Sequence, residues 1–185
     1  MKRRIRVTRL LAAGVAAAAA AWPLVQVAHA GPVPPTVPSD VQVPEGNKVF
    51  LVGHAVGVQI YSCNATVTGF AWALVAPQAD LYDDSGKLIA THFGGPTWRA
   101  TDGSYVVGRR VNGVTVDATA IPWLLLSAAS TAPGDGDRLV RTTFVQRVST
   151  TGGLPPTAAA CSDVTAGTTA EVPYTADYYF WKRGG

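Results

Sequence analysis

Val56-Gly-Val-Gln-Ile-Tyr-Ser-Cys63 is the stretch that most directly indicates the fold of this chain. Branched apolar residues occupy every second position from Val56 to Ile60, and smaller or polar residues stand between them. A period of two places successive side chains on opposite faces of a β-strand, so the stretch predicts a half-buried strand. The two alternating sets are Val56, Val58, Ile60 and Ser62, and Gly57, Gln59, Tyr61 and Cys63.

Similar short runs continue on both sides of this stretch. Clusters of Gly, Asp, Asn and Pro separate them at the spacing of roughly 8–12 residues that is typical of all-β domains. Asp83-Asp-Ser-Gly86 carries turn residues and predicts a hairpin. Ile121-Pro-Trp-Leu-Leu-Leu126 is continuously apolar and predicts a buried strand with its proline at the start. The predicted strands are Lys48–His54, Val56–Cys63, Thr66–Leu74, Ala79–Tyr82, Lys87–Phe93, Tyr105–Val111, Trp123–Ala129, Leu139–Val148 and Val172–Trp181.

The strand pattern predicts an all-β domain that forms an antiparallel β-sandwich, with a closed β-barrel as the alternative. Both architectures protect their sheet edges and use the same sequence signals, so the pattern leaves the two open. No stretch after residue 30 combines a helical period with helix caps.

The first thirty residues have the three parts of a secretory signal peptide. Five basic residues precede the uncharged, alanine-rich run Leu10–Val27, and Ala28-His-Ala30 provides a small-residue cleavage site. The run is just long enough to span a bilayer, so an uncleaved anchor is the alternative, but Pro23 and the cleavage site favour removal of residues 1–30. Arg3-Arg4 leaves general secretory and twin-arginine export both open. We expect an exported protein, periplasmic or extracellular.

The predicted mature chain, residues 31–185, carries 10 basic and 12 acidic residues, a formal charge of −2. This balance argues against nucleic acid as a partner and against stable membrane insertion after cleavage. Residues 31–44 contain five prolines and predict a poorly packed N-terminal arm. Residues 45–185 suit a single domain. Cys63 and Cys161 are its only cysteines, and an even pair in an exported protein predicts one disulfide.

The segment from His92 to Ser104 concentrates aromatic and charged residues around glycine turns. We interpret it as a loop that binds a small polar or carbohydrate-like ligand, in which Trp98 stacks on the ligand while Arg99 and Asp102 hydrogen-bond to it. The competing interpretation, which β-sandwich cores favour because they commonly contain Trp, makes Trp98 a buried core residue. The ligand-binding candidates are His92, Trp98, Arg99, Asp102 and Tyr61.

Reaction signatures are missing from the sequence. There is no G-x-S-x-G motif, and His54 and His92 form neither H-x-H nor H-E-x-x-H. We therefore predict no metal or cofactor, and expect a non-enzymatic binding or structural module whose partner is a small ligand or an envelope component. A secreted hydrolase with an unrecognised active site is the alternative.

Six ordered segments resemble the DUF3455 family, exported proteins of unknown function found in bacteria and fungi. The resemblance implies no established activity. Some fungal relatives bear a malate dehydrogenase label, but this chain has no G-x-G-x-x-G motif between a strand and a helix. The segments are Val43–Lys48, Gly57–Cys63, His92–Ser104, Ile121–Leu126, Gln146–Gly153 and Val172–Phe180.

Overall fold

The computed structural model describes residues 31–185, and the predicted signal peptide lies outside the described residues. Its regular structure consists of eight β-strands and two 3-10 turns of three residues each. All neighbouring strands pair antiparallel, so the all-β antiparallel prediction is confirmed. The strands are β1 (Asn47–Thr66), β2 (Gly69–Tyr82), β3 (Leu88–Phe93), β4 (Thr97–Ala100), β5 (Tyr105–Val114), β6 (Trp123–Ala132), β7 (Phe144–Gly152) and β8 (Thr169–Arg183).

The sheet closes on itself in the order β1 to β8, with β8 paired to β1. Of the two architectures that the sequence left open, the strand order is therefore that of the closed barrel. Closure depends on β1, whose 20 residues pair with β2 from His54 onward and with β8 from Asn47 to Ser62. Among residues 31–185, no helix is long and apolar enough to cross a membrane.

Several strand boundaries differ from the sequence prediction. The first two predicted strands are one, as are the third and fourth, because pairing continues through the polar or small residues between them. The Asp83 turn joins β2 to β3 as predicted. Leu139–Thr143 turns back on itself instead of entering β7. Strand β4 was not predicted, because four residues between two turns show too little alternation to stand out from a loop.

Of the two alternating sets of β1, the one that contains Gln59 faces the barrel interior. Gln59, Tyr61 and Cys63 are buried, whereas the side chain of Val56 is 60% exposed. The barrel interior is filled toward one end by a packed core. Its largest members are Trp98, Tyr178, Phe180, Leu81, Leu139, Val106 and Val145.

The N-terminal arm packs against the outside of the barrel, so the prediction of a poorly packed arm is wrong for its second half. Val41 and Val43 are buried in a cluster with Leu125 and Trp181. Leu125 faces away from the interior because its neighbours in the strand, Leu124 and Leu126, contact the inner core. The Gln146 side chain donates to the Val41 carbonyl at 2.6 Å and accepts from the Trp181 indole at 3.1 Å.

The predicted disulfide is confirmed. Cys63, near the end of β1, is bonded to Cys161 in the long connection between β7 and β8, with the Cα atoms 5.4 Å apart. The described residues contain no free cysteine. A disulfide is compatible with an exported protein, because it persists in oxidising compartments.

Candidate functional site

A cavity of about 420 Å³ lies inside one end of the barrel. Residues of the β3–β4 and β5–β6 connections help to line it, and it borders the packed core at Trp98 and Tyr178. Its lining combines a few polar groups with an apolar wall, the usual composition of a small-molecule site. The lining residues with polar side-chain atoms include Gln59, Tyr61, His92, Trp98, Arg147 and Tyr178, and the apolar ones include Leu74, Pro77, Ile121 and Leu124.

Three of the five candidate residues lie together at this cavity. Tyr61 projects inward from β1, His92 from the end of β3 and Trp98 from β4. The Tyr61 hydroxyl donates to the Gly153 carbonyl at 2.7 Å, which joins β1 to the β7–β8 connection. Burial raises the pKa of this hydroxyl, although the positive charge of Arg147 opposes the shift.

Trp98 forms the boundary between the cavity and the packed core. Its side chain is 1% exposed and stacks on His92, with ring centroids 4.3 Å apart and planes 6° from parallel. Tyr178 and Phe180 contact it edge-on. A Cβ atom at Gly108 would lie 2.9 Å from the indole, so this position of β5 needs glycine. Trp98 is thus buried and not an open aromatic platform, and His92 covers one of its faces.

Arg99 and Asp102 lie away from the cavity. Arg99 follows Trp98 in β4 and therefore points out of the barrel, where its guanidinium lies 5.9 Å from the ring centre of Phe93. Asp102 lies in the turn at the opposite end of β4. The segment from His92 to Ser104 is consequently two strand ends with turns, and the structure does not bring its charged residues to Trp98.

The contacts of Asp102 are those of a turn-forming carboxylate. Its Oδ1 accepts hydrogen bonds from the backbone nitrogen and the hydroxyl of Ser104, and its Oδ2 accepts one from the Arg138 backbone nitrogen. The Ser104 hydroxyl, foremost among these donors, lowers the pKa of Asp102. This network connects the β4–β5 turn to the residues that precede β7.

His92 is neutral in the cavity wall. Its side chain is 3% exposed, and burial lowers its pKa to about 3, with the charge of Arg147 acting in the same direction. Nδ1 lies 2.9 Å from the Thr97 carbonyl oxygen. Because a carbonyl can only accept, Nδ1 carries the proton and Nε2 keeps a lone pair.

Two buried donors at the cavity have no protein partner. They are the amide nitrogen of Gln59 and the indole nitrogen of Trp98, whose residues are 2% and 1% exposed. An unsatisfied buried donor costs about 1–3 kcal/mol, so this pair calls for acceptors from outside the protein, supplied by ordered water or by a bound molecule.

Arg147 brings a positive charge to the same cavity. Its Nε and Nη2 atoms donate to the Pro122 carbonyl at 3.2 and 2.8 Å, which orients the guanidinium. Burial raises the pKa of Tyr178, and the Arg147 charge opposes this shift. Gln59, Arg147 and Tyr178 were not among the site candidates. A sequence signal existed for Gln59, which shares the inward set of β1 with Tyr61.

His54, the other histidine of the described part, is not at the cavity. Its ring nitrogens lie 2.7 Å from Asp177 and 2.8 Å from Asp84, and Asp84 contributes most to raising its pKa. Within residues 31–185, no three His, Cys, Asp or Glu side chains are grouped closely enough to hold a metal ion.

Comparison with known proteins identifies a family but no characterised relative. No curated protein and no solved structure matches the chain. One family model matches residues 44–182, which include every lining residue of the cavity and all eight strands except Arg183, the last residue of β8. This match spans well over half of the chain and agrees with the six ordered segments of the sequence. The chain therefore belongs to the family described as Protein of unknown function (DUF3455).

Proposed function

We propose that this protein is a non-catalytic binding module that holds a small organic molecule in the cavity of its barrel. The observation that carries the proposal is the pair of buried, unpartnered donors on Gln59 and Trp98 at a cavity of about 420 Å³. This volume is within the range of about 300–1,000 Å³ that small-molecule pockets occupy.

The walls of the cavity suit a ligand with a polar end and an apolar body. Leu74, Pro77, Ile121 and Leu124 add apolar surface to the cavity that holds the donors. The site is built on strands of a closed sheet, so its shape is largely set before a ligand enters, which lowers the entropy lost on binding. A carbohydrate, whose surface is polar throughout, would leave much of this apolar wall uncovered.

One observation favours the hydrolase alternative: His92 is buried at a cavity with a strongly shifted pKa, as catalytic groups often are. The pKa of His92 is shifted downward, however, and this favours binding over catalysis, because a histidine with a pKa near 3 is a weak base. The residues that line the cavity also include no Ser, Thr, Cys, Asp, Glu or Lys for it to activate. Binding therefore accounts for the cavity better than catalysis does.

The proposal predicts that the neutral fluorophore N-phenyl-1-naphthylamine binds in the cavity. Leu74→Trp should weaken its binding by about tenfold or more, because the larger side chain at a half-exposed rim position narrows the entrance. Fluorescence titration of the folded proteins measures the dissociation constants.

Ala73→Trp is the matched control, since Ala73 is exposed and is not part of the cavity lining. It should bind the fluorophore like the unmodified protein. No saturable binding, or equal loss in both variants, would contradict a ligand site in the barrel.

A further inference from the structure

Resting on the proposed function, we infer that the cavity selects molecules that carry an acidic group, and that Arg147 contacts this group. The ligand class is an amphipathic organic acid: a carboxylate or sulfonate on an apolar body.

The charged side chains that line the cavity are all positive. Arg147 and Arg110 both line it, and no Asp or Glu does. The ion pairs found within residues 31–185 join His54 to Asp84 and Asp177, so neither arginine takes part in one. A half-buried cation without an anionic partner is poorly compensated, and a bound anion would supply the missing charge.

The guanidinium of Arg147 is held in one orientation. It has five N–H donors in a fixed plane, and the Pro122 carbonyl accepts from Nε and Nη2. The Tyr178 hydroxyl is a further partner of this side chain, and the N–H donors that neither group uses can bind an acidic group while the contact with Pro122 holds the plane in place. Arginine held in this way suits the two oxygens of a carboxylate or the oxygens of a sulfonate.

N–H donors outnumber side-chain acceptors in the cavity wall. The unpartnered nitrogens of Gln59 and Trp98 add to the donors of Arg147. The acceptors of the wall are the Gln59 amide oxygen, the His92 Nε2 lone pair and the oxygens of the Tyr61 and Tyr178 hydroxyls. Acidic groups present several acceptor oxygens and no N–H, so they complement such a wall better than an amine or a neutral alcohol.

The test compares two probes that share one ring system. 8-Anilino-1-naphthalenesulfonate is the sulfonated counterpart of N-phenyl-1-naphthylamine, so their affinities differ mainly through the acidic group. We expect the sulfonate to bind about tenfold tighter or more. Arg147→Met should remove this preference by weakening sulfonate binding while the neutral probe binds as before. Arg147→Lys, which keeps the positive charge, should retain part of the preference for the sulfonated probe.

Arg109→Met is the matched control, because Arg109 is an exposed neighbour of Arg110 that does not line the cavity. It should leave both affinities unchanged. Equal binding of the two probes, or equal loss of sulfonate binding in Arg147→Met and Arg109→Met, would overturn the acid selectivity while leaving the cavity a binding site. Failure of both probes to bind would instead refute the proposed function.

A second comparison needs no substitution, which matters because Arg147 also braces Pro122. Naphthalene-2-carboxylate and naphthalene-2-carboxamide are competed against N-phenyl-1-naphthylamine on the unmodified protein. The carboxylate should displace the probe at a concentration about tenfold lower. Displacement by both compounds at the same concentration would contradict the inference.

Discussion

At the scale of single residues, the two histidines of the barrel respond to pH in opposite ways. The carboxylates of Asp84 and Asp177 raise the pKa of His54, so its stabilisation is complete below about pH 6.5 and is lost as the pH rises through the raised value. Burial lowers the pKa of His92 to about 3, so the unfolded chain binds this proton more readily. His92 therefore makes the fold less stable as the pH falls from about 6.5 toward 3.

His92→Phe tests this account. The substitution keeps an aromatic ring against Trp98 but removes the titrating group, so stability should fall less steeply with decreasing pH. Between about pH 6 and 4.5 the slope should shrink by about 1.4 kcal/mol per pH unit, and above this range the lost bond to Thr97 should lower stability. Chemical unfolding at a series of pH values gives the slope. His54→Gln is the control and should keep the original dependence of unfolding free energy on pH below about pH 5.5. The same dependence in His92→Phe as in the unmodified protein would disprove the buried neutral state of His92.

At the scale of elements, alternation along a strand decides which neighbours can share a site. Trp98 and Arg99 are adjacent in β4 but point to opposite faces of the sheet, so they cannot contact one small ligand together. The same rule applies to β6, where Leu126 packs inside the barrel and Leu125 packs outside under the N-terminal arm. The arm is part of the folded unit because its apolar residues fill this outer cluster.

The docked arm predicts a difference between two valines of one segment. Val41 is fully buried, so Val41→Ala should lower the free energy of unfolding by about 1–3 kcal/mol. Val33 is 80% exposed, and Val33→Ala should change the free energy of unfolding by less than about 0.5 kcal/mol. Denaturant unfolding measures both. Equal effects of the two substitutions would show that the arm does not pack on the barrel.

At the scale of the whole molecule, the disulfide closes a long loop. Cys63 and Cys161 are separated by 98 positions, and the intervening chain includes strands β2 to β7. Cross-linking such distant points restricts the unfolded chain more than it restricts the folded barrel. The disulfide also anchors the β7–β8 connection. In this connection, the Gly153 carbonyl accepts a hydrogen bond from the Tyr61 hydroxyl at the cavity.

Replacing both cysteines by alanine should lower the free energy of unfolding by about 2–5 kcal/mol. Guanidinium unfolding with and without a reducing agent measures this effect. The reducing agent should lower the free energy of unfolding of the unmodified protein to nearly that of the double variant, and should leave the value for the double variant unchanged. If the reducing agent changes the stability of neither protein, the disulfide is not stabilising.

The sequence by itself determined the strand content, the hairpin at Asp83 and the disulfide. These features depend on local periodicity, on turn residues and on the presence of two cysteines in a chain with a predicted export signal. It also pointed to Tyr61, His92 and Trp98, but joined them to Arg99 and Asp102. Proximity in sequence does not show that Arg99 faces outward from β4 or that Asp102 lies beyond the far end of this strand.

Only the tertiary structure decided that the sheet closes, that the Gln59 face of β1 points inward, and that Arg147 of β7 lies at the same cavity as residues of β1, β3 and β4. Alternation gives each strand two faces without stating which one is inside. That choice is made when all eight strands pair around a common interior, which brings together residues that lie far apart in the chain.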